Sequence, residues 1–157
     1  MTLRPTVIAL RALSLISWPL SMSVAGAAAA EPPKATLIRL ELQPFETPSA
    51  ASAATETCIA LIQARQLDAA RRPCDAAISS AETDRSGSRL IPFMGRPFDD
   101  VAAVTYNNRA VLRLLKGELE LAAADSARAV KADRMAPVER TAAVIAERRR
   151  QAAALAQ

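Results

Sequence analysis

From position 101 to position 131 apolar residues recur at steps of three and four, and they fall on two faces of the chain. Val101, Val104, Val111 and Leu115 share one face with Asn108, while Ala103, Ala110 and Leu114 trace another. A helix that is apolar on two sides packs on two sides, as in a layered stack. Asp99 or Asp100 is placed to cap this helix, and Gly117 to end it, because glycine enters the left-handed region at low cost. Glu118 and Glu120 open a second helix that Arg128 and Lys131 close, the order that the helix dipole favours. The pattern predicts a helix hairpin over residues 100–133. Pro137 then starts a last helix, 137–151, at the position proline prefers, with Val138, Ala142 and Ile145 on its apolar face and a short tail at 152–157.

An earlier hairpin is expected over residues 56–82. Cys58, Leu61, Ile62 and Ala64 keep helical spacing, Gln66-Leu67-Asp68 interrupts it, and Ala70, Cys74, Ala77 and Ile78 resume it. Asp68 is placed to cap the second helix. Pro73 falls beyond the first turn, so a kink or a late start is expected there, at about 3 kcal/mol. Residues 83–99 hold Gly87, Pro92, Gly95 and Pro97 and predict a loop that is long for a helical array. Its Leu90, Ile91, Phe93 and Met94 either fold back over the core as a lid or dock a partner. Residues 31–55, with four prolines and then an Ala/Ser/Thr tract, read as a flexible linker. Within them Leu37 to Leu42 alternates enough to make a short strand if an edge is offered, and otherwise stays extended without a partner.

Residues 1–30 carry the pattern of a cleaved export signal. Arg4 and Arg11 precede an apolar stretch, and Ala28-Ala29-Ala30 precedes Glu31. The alternative is an uncleaved anchor, which Pro19, Gly26 and several serines argue against. The expected destination is the periplasm, with full secretion as the other outcome and no integral membrane segment after cleavage. Loss of Arg4 and Arg11 would lower the 20 basic residues to 18 against 16 acidic ones, so the basic balance gives no reason to expect a nucleic-acid partner.

Composition narrows the fold and the chemistry. The chain has 157 residues, enough for one domain, and aromatics make up only 3% of them. A core of Leu, Ile, Val and Ala at close helix contacts suits an all-α fold better than a sheet. Histidine is absent, which removes the commonest general base and metal ligand together. Cys58 and Cys74 do not form a Cys-x-x-Cys pair, and no phosphate loop or nucleophile elbow occurs. Asp99-Asp100 reads as a helix cap before a metal or acid–base site, and Arg148-Arg149-Arg150 as a solvated helix end before a lipid contact. No enzymatic site, metal or cofactor is expected.

Tyr106-Asn107-Asn108-Arg109-Ala110, followed by Gly117, Ala122 and Ala129, resembles a tetratricopeptide repeat, a helix hairpin of about 34 residues with small residues at its eighth, twentieth and twenty-seventh positions. With Ala110 at the eighth, Ala122 and Ala129 take the other two. In the first hairpin Cys58, Ala70 and Ala77 do the same. The eighth positions lie 52 residues apart, an insertion of 18 at the 83–99 loop, and Arg134 stands where the family has proline. The resemblance implies two stacked hairpins plus a C-terminal capping helix, and a groove that holds a protein or peptide partner. On it, Val104, Asn107, Asn108, Val111 and Leu115 would line the groove. Asn108 matches an asparagine that donates to a peptide's terminal carboxylate or backbone, although Glu56, at the equivalent site of the first hairpin, has the wrong charge for a carboxylate clamp. Cys58 and Cys74 would face each other within one hairpin, and in an oxidising compartment a disulfide is expected, with two buried thiols or a catalytic cysteine as the alternatives. A second functional reading is a structural or accessory subunit of an envelope complex, docking through the 83–99 loop.

Overall fold

The computed structural model describes residues 34–40, 49–88 and 97–157. The described residues form five helices and no strand, so the chain is all-α as its composition predicts.

The first helix, α1 (Ala50–Gln63), starts where Ser49 turns its Oγ to accept the Ser52 N–H at 3.1 Å. It therefore begins six residues ahead of the expected boundary, inside the tract that reads as linker. Alanine is the best helix former, and the tract's hydroxyls bond within the helix: Thr55 Oγ1 donates to the Ala51 carbonyl at 2.7 Å. A turn with Arg65 at φ 60° joins α1 to α2 (Leu67–Ser88). Helix α2 runs through Pro73, with neither a break nor a late start, and Asp68 lies in its first turn instead of capping it. Proline has no N–H to give the Ala69 carbonyl. The adjacent Cys74 compensates: it forms a disulfide with Cys58 of α1, the two Cα atoms 4.9 Å apart and both side chains buried.

Helix α3 (Pro97–Leu115) places Asp99 and Asp100 in its first turn, where they complement the dipole without serving as the cap. Arg85 of α2 pairs with Asp99 at 2.9 Å. Gly117, at φ 78°, turns the chain into α4 (Leu119–Ala132), and α5 (Ala136–Leu155) follows with Pro137 in its first turn. Residues 83–88 and 97–99, expected as loop, belong to α2 and α3, and the docking candidates Leu90, Ile91, Phe93 and Met94 lie outside the described residues.

Each helix packs on the next, and α3 also touches both α1 and α5. The short turns make α1/α2 and α3/α4 two antiparallel hairpins, with α5 laid on the second. One layer is α1, α3 and α5, and the other is α2 and α4. Small side chains let the layers approach: Ala70, Ala77, Ala110, Ala122 and Ala129 are all buried. Ile145 of α5 packs into the cluster of Ala110 and Ala122, and Val138 into that of Ala103, Tyr106 and Ala129. Thr141 occupies the buried position between them, while Ala142, on the expected apolar face, is only half-buried.

Candidate functional site

The polar centre of the inner layer is a pair of asparagines on α3. Asn107 and Asn108 are each 1% exposed, although they sit on a face otherwise given to Val104 and Val111, which are also buried. A buried carboxamide must find partners or lose the hydrogen bonds it had in water. These find them in residues 34–40. Asn108 Nδ2 donates to the Ile38 carbonyl at 2.8 Å, and its Oδ1 accepts the Ile38 N–H at 2.9 Å. Asn107 Nδ2 donates to the Thr36 carbonyl at 2.8 Å. The Thr36 N–H donates to Thr141 Oγ1 of α5 at 3.2 Å.

Residues 36 and 38 thus turn both backbone groups toward the helices, which is how one edge of an extended strand presents itself. The alternation at Leu37 to Leu42 led to the expectation of a strand given an edge, or of an extended segment left alone. Residues 41 and 42 lie outside the described residues, and neither expectation describes residues 37–40. The edge is supplied by asparagine and threonine side chains. Leu37 packs against the cluster of Cys58, Ile62, Ala70, Cys74 and Leu112, and Ile38 against that of Ile78, Ala103, Tyr106, Ala129 and Val138. Arg39 reaches Glu56 of α1 at 3.1 Å. The segment therefore meets all three helices of the inner layer: Thr36 on α5, Ile38 on α3 and Arg39 on α1.

This corrects the expected groove in two respects. Asn107 and Asn108 do not line an open surface, because the chain's own residues 34–40 cover them. Leu115 does not join them; it is 42% exposed near the end of α3. Glu56 has a cation opposite it, and Asn108 holds an internal peptide unit where a terminal carboxylate was one expectation. One atom of this site stays unmatched: Asn107 Oδ1 is buried and has no hydrogen-bond partner among the described residues. Such an acceptor costs about 1–3 kcal/mol.

A second polar cluster lies where α2, α3 and α4 meet, and the sequence pattern gave no sign of it. Asp125 of α4 is fully buried. It accepts two hydrogen bonds from Arg109, at 2.8 and 2.9 Å, and an ion pair from Arg113 at 2.7 Å. Arg109 also reaches Asp75 of α2 at 2.7 Å. Burial disfavours the Arg109 charge, but hydrogen bonds to Asp125 and Asp75 outweigh it and hold the guanidinium's pKa above its ordinary value. Arg109 and Arg128 both lie over the Tyr106 ring, 5.7 and 5.6 Å from its centroid, and the Tyr106 hydroxyl donates to Glu82. The charges answer one another, so this cluster ties three helices together.

Asp100 has its pKa raised by partial desolvation, by a hydrogen bond with Asp133 and by the charges of Asp133 and Asp99. That arrangement makes Asp100 a point of local repulsion between α3 and the end of α4. No helix among the described residues is long and apolar enough to cross a membrane, and the disulfide suits an oxidising compartment. No protein-family model, curated protein or solved structure matches the chain.

Proposed function

We propose that this chain is an exported, non-catalytic binding module built from tetratricopeptide-like hairpins, and that it holds an extended polypeptide against α1, α3 and α5. The observation that carries the reading is the double hydrogen bond from Asn108 to the N–H and C=O of one residue, Ile38. A side chain that matches both backbone groups of an extended residue recognises the peptide main chain whatever its sequence, as added strands are recognised at a sheet edge. The apolar clusters that receive Leu37 and Ile38 add the preference for aliphatic side chains. The disulfide and the leader-like first 30 residues support export, with the periplasm as the destination.

Selection of displayed random peptides on the mature chain tests this. Retained peptides are expected to share an extended aliphatic stretch and, in chains where Leu37→Asp/Ile38→Asp keeps residues 34–40 out of the groove, to bind at least about tenfold more weakly when Asn108→Ala is added, the loss of two hydrogen bonds. Peptides that bind both chains equally would refute the groove assignment.

A further inference from the structure

The groove in this chain is filled by the chain itself, and its occupant is held in a way that allows exchange. All four hydrogen bonds to residues 36 and 38 join side chains of the helical layer to backbone atoms of the segment, two donated by the asparagine amides and two by the segment's own N–H groups. Another extended polypeptide can make the same four, two through its carbonyls and two through its N–H groups. The occupant also fits incompletely. Asn108 uses both ends of its carboxamide on Ile38, whereas Asn107 uses only its Nδ2, on Thr36, and its buried Oδ1 receives nothing. A ligand that brings a donor to that atom satisfies the groove better than residues 34–40 do. Side-chain selectivity is readable from the present occupant: two adjacent aliphatic residues enter two apolar clusters, and the next residue is a cation opposite Glu56.

Resting on the groove reading above, we propose that residues 34–40 are an internal stand-in for a partner polypeptide. The partner carries an extended aliphatic–aliphatic–basic stretch and enters the groove by displacing them. Residues 41–48 tether the stand-in to α1, and so short a tether gives it an effective concentration on the order of 1 mM. A partner must compete with that, so the free chain has a closed groove and a weakened apparent affinity.

The test is binding of a fluorescently labelled synthetic peptide, Lys34 to Leu40, measured by anisotropy against three forms of the mature chain. These are the wild type, the Leu37→Asp/Ile38→Asp variant that expels the stand-in, and a variant whose tether is lengthened about fourfold with Gly/Ser residues. Lengthening leaves groove and stand-in untouched and lowers the effective concentration by about eightfold, following a −3/2 power of length. The expected result is weakest binding by the wild type, tighter binding by the long-tether chain, by up to about eightfold, and tighter still by the double variant. A peptide with serine in place of both aliphatic residues should not bind. Equal affinity for wild type and long-tether chain overturns the stand-in but leaves the groove reading intact. No binding by any form, with helical content retained by circular dichroism, overturns both. If the double variant does not fold, the long-tether comparison alone decides. Sedimentation of the long-tether chain is expected to show monomers, and dimers that exchange segments would overturn the partner assignment in favour of a second copy.

Discussion

Asn108→Ala is the substitution whose consequences the structure specifies most fully. It removes two hydrogen bonds, at 2.8 and 2.9 Å, from a segment that has four to the helices. At about 1 kcal/mol net for each bond, the four contribute ~4 kcal/mol. Half-burial of Leu37 and Ile38 adds ~2 kcal/mol. Against this stands the entropy of ordering Thr36 to Arg39, at about 1–2 kcal/mol per residue, or ~4–8 kcal/mol. The opposing amounts are of one size, so the segment is held marginally. Loss of ~2 kcal/mol then shifts it toward the open state by about 30-fold. The assay is amide hydrogen exchange by NMR on the mature chain. In the wild type the Ile38 amide should be protected, but less than amides in the middle of α3. In Asn108→Ala its protection should fall, by up to about 30-fold, while the α3 amides change little. Unchanged protection at Ile38 would refute the bonding described. An equal fall at Ile38 and in α3 would show that the segment opens only with the whole fold.

Three further outcomes are expected. Cys58→Ala/Cys74→Ala should lose about 3 kcal/mol, seen as a melting temperature lower by roughly 10–20 °C than that of the oxidised chain, and a shift of a few degrees or less would contradict the bridge as a support for the Pro73 hairpin. Asp125→Asn leaves Arg109 and Arg113 without their buried countercharge and should cost about 3 kcal/mol in urea unfolding, whereas an unchanged midpoint would mean that the cluster does not join α3 to α4. The raised pKa of Asp100 makes ionisation unfavourable in the folded state, so its contribution is best below the ordinary carboxylate range and is lost as pH rises through the folded value. Asp100→Asn should therefore stabilise the chain at neutral pH and lose that advantage in acid; stabilisation that does not vary with pH would contradict the repulsion between Asp100 and Asp133.

What the sequence disclosed follows from how local each signal is. Helices α3 and α4 were legible because period, first-turn acids, glycine and terminal cations agree within one stretch, although α3 starts at Pro97, ahead of the expected acidic cap. Cys58 and Cys74 were legible through their places in a resembled hairpin. The start of α1 was not, since an Ala/Ser/Thr tract has high helix propensity and also the hydroxyls of a linker, and the decision rests on Ser49 as a cap and on packing at Ala51 and Thr55. The assignment of Asn107 and Asn108 to a working face came from the resemblance to a tetratricopeptide hairpin. Their partners, Thr36 and Ile38, lie about 70 residues earlier, and no periodicity connects the two places. Leu37 to Leu42 signalled an extended segment seeking an edge, but a pattern of strand positions cannot indicate an edge made of carboxamides. Asp125 was invisible for the same reason: the charge looks solvated until Arg109 and Arg113 are seen around it.

The central claim is that the inner layer holds polypeptide backbone through Asn107 and Asn108. The most direct measurement is the side-chain NH2 signals of these two residues in a ¹H–¹⁵N spectrum of the Leu37→Asp/Ile38→Asp chain, followed as the Lys34 to Leu40 peptide is added. The account predicts that both signals shift on binding and return toward their positions in the wild-type chain, together with the backbone amide of Thr141. Binding that leaves both side chains unmoved, with shifts confined to another face, would contradict it.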